Sequence, residues 1–184
     1  MDRKDQTILI LLEEYKALKA EQSKRIGFRD NLLYVTLGLF GAITSFAITS
    51  PKGHYAFLVI PWISLVMGWT YVVNDEKISA IGYYIRHDLD DRIRILMVGT
   101  GDNHYLFGWE TAHRDDPHRK RRKYLQLLID EITFVFSGLI ALLIFWLLVP
   151  QVSIPLIILS LLEALLLIGL GFQIKLYTDL ERGR

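Results

Sequence analysis

Polar and apolar residues are separated into long blocks along this chain. Four mostly apolar stretches reach the length of about 20 residues that a helix needs to cross a hydrocarbon core of about 30 Å. They cover residues 31–49, 55–73, 132–149 and 152–174, and Glu163 is the only formally charged residue within them. The pattern predicts four transmembrane helices.

Short polar links join the first stretch to the second and the third to the fourth, which predicts two helical hairpins. The expected fold class is therefore all-α: an integral membrane protein with four transmembrane helices and long cytoplasmic helical extensions. The predicted regions are a cytoplasmic amphipathic helix (1–30), a first transmembrane hairpin (31–73), a cytoplasmic helical and loop region with a basic segment (74–129), a second transmembrane hairpin (130–174) and a cytoplasmic tail (175–184).

Two segments outside the apolar stretches have apolar residues at helical spacing. The first predicts a helix over residues 5–29 that continues into the first span, and its apolar positions are Ile8, Leu11, Leu12, Tyr15 and Leu18. The second follows the second span, with apolar positions at Ile78, Ile81, Ile85, Leu89, Ile93 and Leu96. We expect these amphipathic helices to pack on each other; the alternative is that either lies flat on the lipid surface.

Charge predicts the orientation of the spans. Of 21 lysines and arginines, all but Lys52 fall in the N-terminal segment, the central region or the tail. Because basic residues near short loops are retained in the cytoplasm, both termini and the central region are predicted to be cytoplasmic, in a multi-pass protein of the cell inner membrane.

The chain has no cysteine, which excludes disulfides, thiolate metal ligands and a cysteine nucleophile.

Glu163 is predicted to lie near the middle of the fourth span. An ionisable group at that depth costs a few kcal/mol and marks an interior or water-facing position. One interpretation is a pore or gating residue that serves ion conduction or proton coupling. The other is a glutamic acid that fixes helix packing through hydrogen bonds, with Ser137, Thr44, Ser64 or Ser160 as candidate partners.

A run of five cations precedes the third span: Arg119, Lys120, Arg121, Arg122 and Lys123. Consecutive cations surround a helix instead of forming one face, so some must meet phosphates, acids or water. Anionic lipid headgroups are one expected partner. A nucleotide or nucleic acid is the other, because phosphates would neutralise the same charges.

The remaining polar residues suggest no catalytic site. The central region holds candidate metal ligands without a complete zinc spacing, and a polar loop is the preferred interpretation; these residues are His104, Glu110, His113, Asp115, Asp116 and His118. The sequence lacks a P-loop, a nucleophile elbow and a dinucleotide-binding fingerprint. We therefore expect neither an enzyme nor a cofactor or metal site.

Small residues in the first span form two overlapping small-xxx-small patterns, Gly38 with Ala42 and Gly41 with Ser45. Such patterns allow close helix approach within a subunit or between subunits. Four helices can hardly enclose a pore alone, so a conduction function would require a homo-oligomer, with closed cyclic symmetry expected.

Three segments carry a resemblance to known proteins: LLEEYKALKAEQSKRIGFRDNLLYVTLGLFGAITSFAI, IPWISLVMGWTYVVNDEKISAIGYYIR and GWE. Together they resemble a family of uncharacterised small multi-span bacterial membrane proteins. The order of cytosolic helix, membrane hairpin and returning helix is also similar to the SLATT class of anti-phage effectors. That resemblance implies a membrane-perforating effector in a nucleotide-signalling system, although the second hairpin departs from the layout.

These observations lead to three functional hypotheses. The first is an oligomeric pore- or channel-like inner-membrane effector of bacterial anti-phage defence, gated through its cytoplasmic helices by a nucleotide, nucleic-acid or protein signal. The second is a non-conducting membrane anchor that recruits a cytosolic enzyme. The third, a proton-coupled exporter, is disfavoured because a single acid without a basic partner in the spans makes a poor proton relay.

Overall fold

The computed structural model describes residues 2–97, 107–108 and 118–177, which form helices and turns without any strand. The helices are α1 (Arg3–Thr49), α2 (Val59–Tyr84), α3 (Asp90–Met97), α4 (Arg119–Glu131), α5 (Ser137–Leu148) and α6 (Ile154–Tyr177). A 3-10 turn, Gly53–Leu58, precedes α2, and π turns at Ile85–Leu89 and Ile132–Phe136 join α2 to α3 and α4 to α5. Within this part of the chain, four helical runs are long and apolar enough to cross a membrane. The all-α prediction is confirmed.

Helix α1 is continuous over 47 residues, from the polar N-terminal half into the apolar half. The expected continuity is therefore confirmed. The helix ends at Thr49 because Pro51 follows. A residue that precedes proline is pushed out of the helical region, and Ser50 accordingly has extended angles of φ −94° and ψ 136°.

The two amphipathic segments pack against each other as expected. Leu11 of α1 forms a buried cluster with Ile85, Leu89 and Ile93. The Tyr84 hydroxyl donates to Glu14 at 2.7 Å, and the Gln22 side chain donates to the Ile78 carbonyl at 3.2 Å. Residues with lower numbers in α1 thus contact residues with higher numbers in α2, so the two helices run antiparallel.

The π turn at Ile85–Leu89 was not expected from the sequence, which suggested a regular helix. In and around this turn, apolar residues recur every four positions, at Ile81, Ile85, Leu89 and Ile93. In a regular α-helix each four-residue step drifts by about 40° around the axis. The wider π turn offsets that drift, so the last three of these side chains remain buried together.

The second apolar stretch also begins differently from the prediction. A 3-10 turn covers Gly53–Leu58, and the α-helix starts only at Val59. The chain passes so close to the end of α1 that a Cβ added to Gly53 would lie 2.6 Å from the Phe46 carbonyl oxygen. Pro61 then falls in the first turn of α2, where its missing N–H donor is tolerated.

Helix α2 is the central element of the bundle and contacts α1, α5 and α6. Two glycines allow this close packing. A Cβ on Gly68 would lie 2.7 Å from a Leu170 methyl and 3.0 Å from the Phe134 Cβ, and a Cβ on Gly138 would lie 2.8 Å from a Leu167 methyl. A larger residue at either position would force these neighbouring side chains to move, so the two glycines favour the close packing of α2, α5 and α6.

The bundle has an apolar core and also exposes many large apolar side chains. Large apolar side chains are exposed along the apolar helices, and Ile48, Leu147 and Leu176 are each 75% exposed. Polar side chains are buried inside, and they include Thr36, Ser64, Ser160 and Glu163. Exposed apolar side chains in this number are compatible with a multi-pass membrane protein.

Candidate functional site

Glu163 lies inside the bundle, on the face of α6 that packs against the other helices. Its side chain is fully buried, and neither carboxyl oxygen has a hydrogen-bond partner among the described residues. The Trp62 side chain is near the carboxyl group but outside hydrogen-bond geometry. Because an ionised carboxylate without a hydrogen bond would cost several kcal/mol in this position, the neutral acid is the form that this packing accommodates.

The four candidate hydrogen-bond partners of Glu163 are engaged elsewhere or stand apart from it. The Ser137 hydroxyl donates to the Thr133 carbonyl. Ser160 accepts from the Trp146 indole at 3.2 Å and donates to the Ile157 carbonyl. Ser64 is buried without a partner in the described part of the chain, and Thr44 is half-buried. The structure therefore joins none of the four to Glu163.

The small residues of the first span are not used for packing within the subunit. Gly38, Gly41, Ala42 and Ser45 are all exposed. A Cβ added to either glycine would meet no described atom within 4 Å. Of the two expectations for this stripe, contact within the subunit does not occur here, and contact between subunits remains a prediction.

The basic run lies at the start of α4. The side chains of Lys120, Arg121 and Arg122 are exposed, and that of Lys123 is half-buried. Arg119 is the first residue of the helix, and its side chain falls outside the described part. The position of the basic run before the third apolar stretch is compatible with both predicted phosphate-bearing partners, a lipid and a nucleotide.

A cluster of polar residues that the sequence analysis did not single out lies where the apolar spans end. We call it the boundary cluster and define it by Arg29 on α1, Tyr71 and Asp75 on α2, and Gln126 and Asp130 on α4. The Arg29 guanidinium donates to Asp75 at 2.7 Å and lies over the Tyr71 ring at 5.9 Å from its centre. The Gln126 amide donates to the Tyr71 hydroxyl oxygen at 3.1 Å.

One sequence signal could have revealed the boundary cluster. Arg29, Asp75 and Asp130 each stand two residues outside a predicted span. Since hairpin helices are antiparallel, charged residues at equal distances from the ends of different spans reach the same level of the bundle. The spacing alone does not say which of them face each other, so only the structure reveals the pairing.

Of the six predicted metal-ligand candidates, one, His118, falls in the described part of the chain. His104, Glu110, His113, Asp115 and Asp116 lie outside the described residues. His118 directly precedes α4. Within residues 2–97, 107–108 and 118–177, no three His, Asp or Glu side chains come together as metal ligands.

The chain was compared with protein-family models, characterised proteins and solved structures. None of these comparisons finds a match. The functional argument therefore rests on the residues of this chain, chiefly on Glu163, the boundary cluster and the basic run.

Proposed function

We propose that this protein is a multi-pass protein of the cell inner membrane, with four spans arranged as two hairpins and with cytoplasmic termini. The apolar exterior of the bundle supports lipid as its surroundings. The distribution of lysine and arginine along the sequence supports the orientation. In this arrangement the basic run lies on the cytoplasmic side, about 14–20 Å along the helix axis from Ile132, and its charges are attracted toward the anionic headgroups.

The activity we propose is that of an oligomeric, channel-like effector in which Glu163 controls opening. The observation that carries this proposal is a fully buried carboxyl group without a hydrogen-bond partner in the described chain. A group in this environment favours a tightly packed, neutral state, and it would be stabilised by water if the helices separated. In the closed state the Glu163 side chain would lie inside the subunit and not on its outer surface. Glu163 would therefore act as a gating group.

Signals would reach Glu163 through the cytoplasmic helices. Because α1 is continuous, its polar half cannot tilt without moving its apolar half. The polar half is tied to α2 by the bonds from Gln22 and Arg29 and by the buried cluster around Leu11. Helix α2 in turn contacts α5 and α6. A ligand would shift this assembly only if it bound one arrangement more tightly than the other.

Oligomerisation is part of the proposal because one four-helix bundle with a filled interior has no room for a pore. The exposed stripe of Gly38, Gly41, Ala42 and Ser45 offers a surface for close approach by a neighbouring subunit. The similarity of layout to SLATT effectors is the reason for placing this function in bacterial anti-phage defence. A nucleotide, an oligonucleotide or a cytosolic protein would supply the signal.

The proposal is tested with protein reconstituted into phosphatidylethanolamine–phosphatidylglycerol bilayers. Ion currents are recorded in potassium chloride before and after ATP or a short RNA is added on the side of the basic run. We expect current from the oligomer and a change in open probability of about fivefold or more for Glu163→Gln. Glu131→Gln, the same chemical change at the boundary, serves as the matched control and should resemble the wild type. A protein that is strictly monomeric and never conducts would exclude the channel.

A second candidate function is the non-conducting anchor, and one observation favours it. The tip of the cytoplasmic helix pair has exposed apolar side chains, with Ile10 on α1 68% exposed and Ile95 on α3 71% exposed. A cytosolic protein could cover them. If the protein is an anchor, its activity in the cell should be unchanged by Glu163→Gln and lost when Ile10→Ser and Ile95→Ser are combined. If it is a channel, Glu163→Gln should change its activity.

A further inference from the structure

Asp130 is another buried acid, distinct from Glu163 and from Asp90, whose carboxylate is paired with Arg94. It lies in the last turn of α4, directly before the apolar stretch that starts at Ile132. Only 4% of the residue is exposed, and its Oδ1 atom has no hydrogen-bond partner among the residues that the structure describes. Buried polar atoms are nearly always paired, so this unpaired oxygen requires an explanation.

The Asp130 carboxyl group lines a small, half-open space. The space has a volume of about 10 Å³, roughly what a single water molecule needs. Its polar lining consists of Asp130, Asp75 and the hydroxyl-bearing residues Tyr71 and Tyr177, and its apolar lining of Val72 and Ile174. Only a very small ligand fits a space of this size.

The charges around this space do not balance. Asp75 and Asp130 both contribute a negative charge when ionised, and the nearby guanidinium is that of Arg29. Arg29 is already paired with Asp75 at 2.7 Å and with the half-exposed Asp30 at 3.1 Å. Lys123 stands seven residues before Asp130 on α4, about 10 Å along the helix axis, so it acts only from a distance. Two carboxylates with one close cation leave one negative charge uncompensated, which a single proton would neutralise.

We propose that Asp130 is a proton-binding site at the boundary between the apolar bundle and the polar helices. With the proton bound, the neutral carboxyl group remains packed beside Tyr71. When the proton passes to water, the carboxylate attracts Arg29 away from Asp75 or draws water into the small space. Binding and release of the proton would thus change how α4 is held against α1 and α2.

The electrostatic environment agrees with this assignment. Burial, together with the negative charge of Asp75, raises the pKa of Asp130 to about 7, against the opposing effects of the Tyr71 hydrogen bond, Arg29 and Lys123. Because Gln126 donates to the Tyr71 oxygen, the Tyr71 hydroxyl proton can be directed to Asp130. A carboxyl group with this pKa exchanges its proton near neutral pH.

Asp130 does not act as a relay to Glu163. On α6 the small space is reached by Ile174, eleven residues beyond Glu163, or about 16 Å along the axis. The buried leucines Leu167 and Leu170 lie between these two levels. They carry no group that could pass a proton. The Asp130 proposal therefore stands or falls independently of the proposed conduction function.

The proposal is tested by infrared difference spectroscopy of the full-length protein in lipid nanodiscs. The background variant carries Glu163→Gln and Glu131→Gln, because both glutamates are carboxyl groups that would contribute to the same region of the spectrum. The carbonyl band of a protonated carboxylic acid is followed as the pH is raised. We expect a band that disappears with a midpoint of about 7 and that is missing after Asp130→Asn.

Two further variants maintain the test if Asp130→Asn does not fold. Tyr71→Phe removes the opposing hydrogen bond and should raise the midpoint by about one pH unit. Asp75→Asn removes a negative charge and frees Arg29 for Asp130, so it should lower the midpoint by a comparable amount. Shifts in opposite directions support the assignment, whereas unchanged midpoints in both variants overturn it.

Three other outcomes would also overturn the proposal. The first is a midpoint in the ordinary range of an aspartic acid, near 4. The second is a band that persists in a folded Asp130→Asn protein. The third is a midpoint that falls when choline chloride is replaced by sodium chloride, which would make the small space a sodium site.

Discussion

The Arg29 guanidinium on α1 and the Asp75 carboxylate on α2 meet at 2.7 Å, where the polar halves of the two helices give way to their apolar halves. Their side chains are only 20% and 14% exposed. One turn away, Arg25 donates to the Asn74 side chain at 3.2 Å. Together these contacts determine how far α1 can slide along α2.

Replacing Arg29 should destabilise the protein clearly. Arg29→Gln leaves Asp75 with an uncompensated, mostly buried charge, and we expect the free energy of unfolding to fall by about 1–3 kcal/mol. The measurement is unfolding in detergent, followed by circular dichroism. Lys16→Gln is the control, because the pair of Lys16 with Glu13 is about 70% exposed and such pairs contribute little. Equal losses in the two variants would contradict the role of Arg29.

The helices and their apolar faces could be predicted from the sequence because the signals are local. Apolar residues at helical spacing mark the segments that contain Leu11 and Ile93, and both residues are buried in one cluster as expected. The absence of proline before Pro51 likewise predicts that α1 is continuous. Each of these inferences needs only a few turns of one helix.

The boundary cluster could not be derived in the same way. The pairing of Arg29 with Asp75 depends on the register between two helices, and the small space beside Asp130 depends on how three helices meet. For similar reasons the sequence suggested the glycines of the first span as packing positions, whereas Gly68 and Gly138 make the close contacts within the subunit.

Two glycines should respond differently to the same substitution. In Gly68→Val the new side chain would collide with Leu170 and Phe134, and overpacking of this kind typically costs about 1–3 kcal/mol. In Gly41→Val it would meet open space within the subunit. We therefore expect a lower unfolding temperature for Gly68→Val and an unchanged subunit fold for Gly41→Val.

The same Gly41→Val variant tests the oligomer. If the stripe of small residues is the contact between subunits, the added side chain should reduce the subunit number, as measured by native mass spectrometry. Gly27→Val is a suitable control, because a Cβ at Gly27 also meets open space but lies outside the stripe. An unchanged subunit number in Gly41→Val would place the contact elsewhere.

The basic run should bind phosphate groups through its exposed members. At about 1 kcal/mol for each cation, Lys120→Gln with Arg121→Gln should weaken the binding of phosphatidylglycerol by about tenfold or more, and salt should weaken it in the wild type. Native mass spectrometry of bound lipid measures this effect. Lys4→Gln with Lys16→Gln, at exposed positions of the polar half of α1, is the control pair. RNA binding to the protein in nanodiscs of neutral lipid would favour the nucleotide interpretation, provided that Lys120→Gln with Arg121→Gln abolishes this binding.

The stability of the bundle should decrease as the pH rises. Asp130 has an ordinary pKa of 3.8 when unfolded and about 7 in the folded protein, with burial as the main cause. Between these values the folded state holds a proton that the unfolded state has lost, so its stabilising effect is complete below about 4, decreases up to about 7 and is absent above. The difference is on the order of 2–4 kcal/mol. Thermal unfolding in detergent from pH 4 to 8 measures it in a background of Glu131→Gln and Glu163→Gln, because burial also raises the pKa of Glu131 and the buried Glu163 carboxyl group would give the same trend. Adding Asp130→Asn to this background should flatten the profile, and a slope that survives would assign the dependence to another group.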